Sequence, residues 1–357
     1  MHAYRNRLCL VQMCAADDTQ PAETVYLVDP LSVDTLAPLS ALLGPDGPTV
    51  VIHDLAFDAR MLIQAGLPLV NVLDTALHAR FLGLKETGLN SLLTARFGFQ
   101  LDKKHQQDDW ARRPLDDAQL AYLAADVSYL GPLAAALEAE TQLAGITEEI
   151  AAETEYGLAN ARAEEPTEPS YTRLKGAMDL LPVSRAVLRE MYAVRDAVAM
   201  RDDLPVGRVV PNASLLALAK LRPHTIPEVR KAGGLYDRGA ALASELLAAI
   251  VRGEALGDVP EDEREIFSRP KLAAGEFAAR RARENALTKW RRKIATERNV
   301  DMQVVLPGHA LADIVRMVPL TLDELSRIPG LGDVRVARDG VALLATLSEV
   351  EAKRGEE

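Results

Sequence analysis

Tyr122, Asp126 and Asp58 are the residues of this 357-residue chain whose types and spacing could carry out catalysis. Tyr122 and Asp126 lie four positions apart in a segment with helical periodicity, so they share one face of that helix. Asp58 follows a strand-like run that ends near His53, and α/β sheets place their sites just beyond the carboxyl ends of strands. Two such carboxylates offer the oxygen ligands that Mg²⁺ and Mn²⁺ prefer, and a tyrosine beside them can orient water. Capping or solvated aspartates give the same spacing, so both interpretations stay open.

Composition restricts the class of protein. The chain is 48% hydrophobic and 26% charged, which excludes a disordered or fibrous protein and predicts two or three domains. We expect no membrane span, because no stretch approaches the roughly 18–20 uncharged apolar residues that one needs. Cys9 and Cys14 are too few for a disulfide framework or a four-cysteine zinc site, so we expect a cytoplasmic protein. The net charge of −11 argues against nucleic-acid binding by the whole surface.

The first part of the chain alternates strand and helix patterns, which predicts an α/β domain. The predicted strands are Arg7–Met13, Thr24–Val28, Thr49–His53 and Leu69–Val72. The predicted helices are Ser32–Leu42, Phe57–Gln64, Thr75–Leu82 and Leu89–Phe97. A longer helix follows Pro114, where Asp116 can cap and Gln119 stands three residues on, as in a capping box.

After about residue 150 the pattern is helical only, and two blocks repeat at an offset of 96 residues. The repeated positions include prolines, leucines, a Thr-x-x-Glu helix start, a Gly-Leu pair and an arginine, namely Pro211/Pro307, Leu215/Leu311, Pro223/Pro319, Thr225/Thr321, Glu228/Glu324, Gly234/Gly330, Leu235/Leu331 and Arg195/Arg291. The shared caps and turns predict a duplicated helical module. Arg162–Lys175, with Pro166, Pro169 and three Glu, has linker composition, and Gly253–Pro270 separates the copies.

Four sequence blocks, in order, resemble the 3′→5′ exonuclease family ribonuclease D, in the tyrosine-containing branch of the DEDD superfamily. The blocks are TVVIHDLAFD from Thr49, LDTALHARFLG from Leu73, LDKKHQQDDWARRPL from Leu101 and YLAADVSYLGP from Tyr122. The helical modules look like HRDC domains. The resemblance implies a ribonuclease-H-like α/β exonuclease domain at residues 1–145 and two all-α HRDC domains at 179–255 and 283–350, with linkers at 146–178 and 256–282.

The resemblance also implies roles for single residues. Asp58 matches the aspartate of the family's second motif, and Tyr122 and Asp126 match the tyrosine and aspartate of the third. In such enzymes carboxylates hold two divalent cations, Mg²⁺ or Mn²⁺, which activate water and stabilise the leaving 3′-oxygen. Asp58 and Asp126 would hold the metal and Tyr122 would orient the water. The expected reaction removes nucleotides from RNA 3′ ends as 5′-monophosphates, with tRNA precursors as the substrate class.

The chain departs from the family pattern at its beginning. The first motif, Asp-x-Glu on an opening strand, should precede the segment from Tyr4 to Gln12 by a few residues, and the chain begins at Met1 after that point. Asp17 and Asp18 lie in a predicted turn beyond the next strand and cannot substitute. Lacking this strand, the domain should be N-terminally truncated and catalytically crippled, and Met1 is expected to be an internal methionine of a longer protein.

Basic and glycine-rich segments are the candidates for nucleic-acid contact. From Phe267 to Arg298 there are 10 Lys/Arg against 3 Glu, including Arg291, Arg292 and Lys293 beside Trp290. Gly330 and Gly332 lie in a hairpin of the kind that presents backbone N–H groups to phosphates, although glycines equally permit a tight turn. Lys103, Lys104, Arg112 and Arg113 frame Trp110, and they can line a substrate channel or form a salt-bridged loop around a buried tryptophan. Trp290 can stack on a base or anchor a core.

Three functions therefore remain open from the sequence. The leading one is a monomeric, ribonuclease D-like RNA 3′-processing enzyme that uses a divalent metal and contacts no membrane. The second is a non-catalytic nucleic-acid-binding protein on the same fold, which metal-dependent turnover would exclude. The third is a DNA 3′→5′ exonuclease, from which a preference for RNA over DNA of the same sequence would distinguish it.

Overall fold

Short strands followed by helices build the first part of the protein, and helices alone build the rest. The computed structural model describes residues 3–15, 18–102, 104–164, 168–235, 237–268 and 274–355. The chain divides into two units, one of Met1–Arg7 with Glu164–Lys271 and one of Leu8–Ala163 with Leu272–Glu357. Each unit has its own core.

The segment Leu8–Ala163 contains four strands and seven α-helices among its described residues. The strands are β1 (Val11–Met13), β2 (Tyr26–Val28), β3 (Val50–Ile52) and β4 (Val72–Asp74). The helices are α1 (Ser40–Leu43), α2 (Leu55–Gln64), α3 (Thr75–Phe81), α4 (Leu89–Phe97), α5 (Asp117–Ser128), α6 (Leu130–Leu143) and α7 (Thr147–Arg162). A 3₁₀ turn, Ala37–Leu39, precedes α1.

The strands form two separate pairs. β1 and β2 are antiparallel, with Val11 opposite Val28, and β3 and β4 are parallel, with Val50 opposite Val72. Within the described ranges no ladder joins one pair to the other. Because β3 and β4 are parallel, their carboxyl ends lie at one edge, and α2 and α3 both begin there.

All four strands are shorter than the sequence predicts. The clearest difference is at Leu69–Val72, where pairing begins only at Val72. The side chains of Leu67 and Leu69 pack into the core, so the apolar run reflects buried side chains rather than strand pairing. The predicted helix Ser32–Leu42 is likewise shortened to the 3₁₀ turn and α1.

The helix after Pro114 begins as predicted. Asp116 accepts a hydrogen bond from the Gln119 backbone N–H at 2.8 Å, and the Gln119 side chain accepts one from the Asp116 backbone, which completes the capping box. The expectation of no membrane-length apolar stretch needs correction, because Asp117–Leu143 is long and apolar enough by length and composition. In the structure this stretch is α5 and α6, and Leu133 and Leu137 of α6 are fully buried in a core cluster.

Helix α7 lies within the stretch that the sequence predicts to be a linker, residues 146–178. Its Leu158 and Ala161 are buried in the same core cluster as Leu55 of α2. The linker signal comes from Pro166, Pro169 and the glutamates, which follow the helix rather than lie in it. The structure therefore extends the first domain to about the end of α7.

The unit of Met1–Arg7 and Glu164–Lys271 is all helical among its described residues. Two 3₁₀ turns (Ser170–Arg173, Ala177–Asp179) precede α8 (Pro182–Arg201), α9 (Val206–Val209), α10 (Asn212–Leu221), α11 (Ile226–Gly233), α12 (Asp237–Ala241), α13 (Ala243–Leu256) and α14 (Glu261–Phe267). Phe267 is buried in this core, so part of the predicted 256–282 linker belongs to it. Tyr4 donates its hydroxyl to Asp196 at 2.7 Å, which joins the first residues to this unit rather than to the predicted 1–145 domain.

The second helical module consists of α15 (Ala274–Arg298), α16 (Met302–Val305), α17 (Gly308–Met317), α18 (Leu322–Ser326) and α19 (Asp333–Gly355). The duplication predicted from the sequence has a structural counterpart. Arg195 donates to the Val210 carbonyl at 3.1 Å, and Arg291, 96 residues on, donates to the Leu306 carbonyl at 3.0 Å. Both arginines therefore make the same bond in their own module.

The second module packs against α7 through a buried ionic cluster. Arg335 is completely buried and donates to the carbonyls of Val304 at 2.8 Å, Leu331 at 2.9 Å and Glu149 at 3.3 Å. The Glu149 carboxylate, 1% exposed, pairs with Arg338 at 2.6 Å and Arg298 at 3.2 Å. Burial alone would raise the pKa of Glu149, but the hydrogen bonds from the two arginines lower it overall.

The first module lacks the side chains that make this contact. Four residues of the second module reach α7, and the residue 96 positions earlier differs in each case. The counterpart of Arg298 is Asp202, that of His309 is Ala213, that of Arg335 is Gly239 and that of Arg338 is Leu242. The copies share their internal caps and differ in the residues that contact α7.

The Glu149 cluster gives a direct test of this packing. Glu149→Gln leaves two arginines without their buried carboxylate, so we expect the unit to lose about 2–4 kcal/mol of unfolding free energy. Trp110 and Trp290, the only tryptophans, both belong to this unit, so tryptophan fluorescence during urea unfolding follows it alone. Glu148→Gln, at the exposed neighbouring position, is the control. Equal urea midpoints for the two variants would contradict the role given to Glu149.

Candidate active site at the ends of β3 and β4

Asp74, the last residue of β4, joins the amino ends of two helices. Its buried carboxylate accepts hydrogen bonds from the backbone N–H groups of Asp54 and Leu55 at the start of α2, both at 3.0 Å. It also accepts from Ala76 at 2.9 Å and Leu77 at 3.3 Å in α3. One side chain thus satisfies four donors that the two helices would otherwise leave unpaired, and it fixes where α2 begins.

His53 and Thr75 strengthen the same junction. The ring Nδ1 of His53 lies 2.9 Å from the Thr75 hydroxyl, which donates to the Ile52 carbonyl at 3.2 Å. Burial lowers the pKa of His53, although the charges of Asp74 and Asp54 oppose this. The ring makes a structural contact at the end of β3.

Asp58 lies in the first turn of α2, the helix whose start Asp74 fixes. Its side chain is accessible to solvent. The surrounding protein nevertheless desolvates the carboxyl group and, with the charges of Asp54 and Asp74, raises its pKa to about 6. A nearby cation would favour the ionised carboxylate and offset the free-energy cost of its desolvation.

Tyr122 and Asp126 lie on one face of α5, as predicted, one helical turn apart. Burial raises the pKa of Asp126 to about 6. Burial, together with the charge of Asp126, raises the pKa of Tyr122 to about 12.

Two rings of the segment before α5 lie against Tyr122. The Trp110 ring is nearly parallel to it, with centroids 5.8 Å apart and an interplanar angle of 18°. The His105 ring lies at 6.0 Å and is tilted by 57°. The phenol ring is therefore held by aromatic contacts with the segment before α5.

The three predicted site residues are in place on their elements, but they do not form a complete metal site alone. Tyr122 and Asp126 share one face of α5, and the charges of Asp54 and Asp74 act on Asp58. Among the residues that the structure describes, no group of three or more His, Cys, Asp or Glu side chains is arranged to hold a metal ion. Asp58 and Asp126 supply the kind of donor that Mg²⁺ or Mn²⁺ prefers, hard carboxylate oxygen.

The basic residues predicted to contact nucleic acid have different environments. Lys104 is exposed and lies 3.7 Å from Asp102, whereas Lys103 lies outside the described residues. Arg291 is engaged with the Leu306 carbonyl, so its main role is within the module. Arg292 and Lys293 are exposed on α15, and Lys293 lies 3.8 Å from Glu297. Trp290 packs against the core of the second module, the alternative that the sequence left open.

Gly330 and Gly332, predicted as a phosphate-binding hairpin, instead face α7. A Cβ atom on Gly330 would lie 2.4 Å from the His309 ring, which is stacked on Tyr156 of α7 at 3.6 Å. A Cβ on Gly332 would lie 2.8 Å from Ala152. Both glycines have positive φ, so they permit a turn that approaches the helix closely. Their place against α7 supports the tight-turn alternative that the sequence left open, and phosphate contact stays a prediction.

Asp74 is the functional residue that the sequence reasoning missed. It stands in the block LDTALHARFLG but carries no predicted role there. An aspartate directly before a helix start is a typical cap, and that signal was available. Its bonds to α2, 19 and 20 residues earlier in the chain, had no local signal.

Comparisons with known proteins agree with this architecture. Residues 1–142 match the 3′-5′ exonuclease family model, and residues 184–251 and 280–347 each match the HRDC domain model. The ribonuclease D of Jannaschia sp. strain CCS1 is 33% identical over 283 residues, which cover 76% of this chain and 69% of that protein. The ribonuclease D of Haemophilus influenzae is 29% identical over 255 residues, 70% of this chain, and the chain spans only 64% of its length.

A solved structure shares the fold over almost the whole chain. The crystal structure of Escherichia coli RNase D, described as an exoribonuclease involved in structured RNA processing, superposes with a TM-score of 0.71. The match covers 98% of this chain and 90% of that one, at 23% sequence identity. At this identity the similarity shows a shared fold only.

The junction at Asp74 predicts a large loss of stability when its acceptors are removed. Asp74→Ala leaves four backbone donors at two helix starts without a partner, so we expect a cost of about 2–4 kcal/mol in urea unfolding followed by tryptophan fluorescence. Asp54→Asn is the matched control, because the Asp54 side chain makes no cap bond and its positive φ suits asparagine. A cost for Asp74→Ala no greater than that of the control would contradict the junction.

The raised pKa of Asp126 predicts a pH-dependent effect of its replacement. An unfolded aspartate ionises near pH 4, whereas folded Asp126 ionises near pH 6, so ionisation lowers stability as the pH rises through this window. Asp126→Asn should therefore raise the urea midpoint at pH 7.5, and the gain should disappear at pH 4. Asp34→Asn, at an exposed position, should show no such trend. A gain from Asp126→Asn that is equal at both pH values would contradict the burial of this carboxyl group.

Proposed function

The chain belongs to the ribonuclease D family, and from this premise we propose that it is a 3′→5′ exoribonuclease whose site consists of Asp58, Tyr122 and Asp126. The family and fold class predicted from the sequence are confirmed, with an exonuclease domain followed by two HRDC domains. The observation that carries the proposal is that Tyr122, with its ring against Trp110 and His105, shares one face of α5 with Asp126 in the region that matches the exonuclease model.

Asp58 and Asp126 are proposed as ligands for Mg²⁺ or Mn²⁺. When bound, such ions activate water and stabilise the leaving 3′-oxygen of the phosphodiester. Both carboxyl groups have a pKa of about 6 in the protein alone, so they release their protons readily to a cation near neutral pH.

Tyr122 is proposed to orient the attacking water. With its pKa raised to about 12, the phenol stays protonated at neutral pH, so it acts by hydrogen bonding rather than as a base. The phenol oxygen can accept a hydrogen bond from water through its lone pairs. Trp110 and His105 restrict the ring, so the oxygen has a defined position.

RNA with a free 3′ end is the proposed substrate, and tRNA precursors are the proposed class. The net charge of −11 means that attraction to RNA must come from local basic groups, such as exposed Lys104, Arg292 and Lys293. A monomeric state and a cytoplasmic location belong to the same proposal. The paucity of cysteine supports the location.

A non-catalytic RNA-binding protein is the rival that one observation favours. The described residues hold too few carboxylates in one place for a metal site, which would suit a fold that binds without cleaving. Metal-dependent hydrolysis distinguishes the two functions. A DNA exonuclease is distinguished by comparing RNA and DNA of one sequence.

The test uses the protein isolated from its own cells through a carboxyl-terminal affinity tag, so that it carries whatever amino terminus the cell makes. With Mn²⁺ or Mg²⁺ it should shorten 5′-labelled RNA by one nucleotide at a time and release 5′-monophosphates. Asp126→Asn should lower the rate by more than about 100-fold and leave RNA affinity within about twofold, because the carboxylate serves the chemistry.

Two controls make the result decisive. Asp109→Asn changes an exposed carboxylate in the segment just before α5 and should keep full activity. RNA binding without hydrolysis by the unmodified protein would favour the non-catalytic rival. Full activity of the Asp126→Asn variant would refute the site assignment.

A further inference from the structure

Arg113 lies at the centre of a group of contacts that the proposed reaction leaves unexplained. Its guanidinium forms a two-pronged ion pair with Asp29, through Nε at 2.6 Å and Nη2 at 2.8 Å. The same group donates to the carbonyls of Trp110 at 2.9 Å, Arg112 at 2.8 Å and Cys9 at 3.0 Å. Five bonds from one planar group therefore fix three segments of chain relative to one another.

The three segments come from distant parts of the sequence. Cys9 lies just before β1, Asp29 lies just after β2, and Trp110 lies in the stretch that leads to α5. The fork from Arg113 holds the pKa of Asp29 well below its usual range, so this carboxylate is ionised whenever the pair can form. Lysine cannot reproduce this arrangement, because it has a single nitrogen and no planar fork.

The contact between Trp110 and Tyr122 extends this cluster to the site. Arg113 holds the Trp110 backbone, and the Trp110 ring lies parallel to the Tyr122 ring. His105, on the other flank of the same segment, lies 2.8 Å from Asp108, which in turn accepts from Gln119 of α5 at 2.8 Å. The segment is thus fastened at both ends and presents its rings to the tyrosine.

We propose that Arg113 is a positioning residue for Tyr122 and acts through Trp110. The inference rests on the proposed function for its catalytic consequence, because a water-orienting phenol must be held within a fraction of an ångström. The segment that carries His105 and Trp110 therefore supports the site, in addition to connecting α4 to α5. The arginine is committed to this role rather than to the substrate, since both prongs of its fork are engaged by Asp29.

The positioning is tested first without any activity measurement. The chain has two tryptophans, so 5-fluorotryptophan labelling gives two ¹⁹F resonances, with Trp290 as an internal reference. Labelling with 3-fluorotyrosine identifies the Tyr122 resonance by its loss in Tyr122→Phe. Arg113→Lys should shift or broaden the resonances of both Trp110 and Tyr122 and leave that of Trp290 unchanged.

The neighbouring arginine provides the matched control. Arg112 is exposed and offers only its carbonyl to Arg113, so Arg112→Lys should leave all three resonances unchanged. Asp29→Asn keeps the size of the side chain and removes its charge, so it should reproduce the effect of Arg113→Lys. Unchanged Trp110 and Tyr122 resonances in Arg113→Lys would overturn the proposal.

The catalytic consequence is measured with the tagged protein from its own cells. Arg113→Lys should lower kcat for RNA hydrolysis about tenfold with KM within about twofold, because orientation rather than binding is lost. Displaced resonances with an unchanged kcat would also overturn the positioning role. If the unmodified protein does not hydrolyse RNA, the proposed function fails, and the ¹⁹F spectra still decide whether Arg113 holds Tyr122.

Discussion

The buried Asp74 carboxylate is the interaction on which the proposed site depends most. Two parallel strands end at one edge of a sheet, and the two helices that follow leave unpaired N–H groups there. Asp74 accepts from four of these groups and so fixes the start of α2 relative to β4. Asp58, one helical turn further on, takes its position from that start. An apolar side chain at this position would leave these backbone N–H groups unsatisfied.

Two arginine-centred clusters extend the same principle to the rest of the unit. Arg113 bonds to the chain segments around Tyr122. Arg335 and Arg338 bond the second helical module to Glu149 of α7. In each cluster most bonds go to backbone carbonyls or to a carboxylate, so they define a geometry rather than add surface charge. The acidic chain thus uses several of its arginines internally, and fewer remain for RNA.

Features with a local signal were predictable from the sequence, and features made by distant contacts were not. The capping box at Asp116, the shared helix face of Tyr122 and Asp126, and the duplicated module all follow from residues close together or from a fixed offset. The place of Gly330 against α7 did not follow, because the hairpin pattern suits a turn and a phosphate site equally. Arg335 bonds the Glu149 carbonyl 186 residues away, a contact that no periodicity predicts.

The central claim is that Asp58 and Asp126 hold the same divalent ions beside Tyr122. The most direct measurement is an anomalous-scattering map at the manganese edge from crystals of the tagged protein grown with Mn²⁺ and uridine 5′-monophosphate. We predict Mn²⁺ bound by carboxylate oxygens of both aspartates, with the nucleotide phosphate near the Tyr122 hydroxyl. Mn²⁺ bound elsewhere, or a nucleotide bound far from both aspartates, would contradict the account.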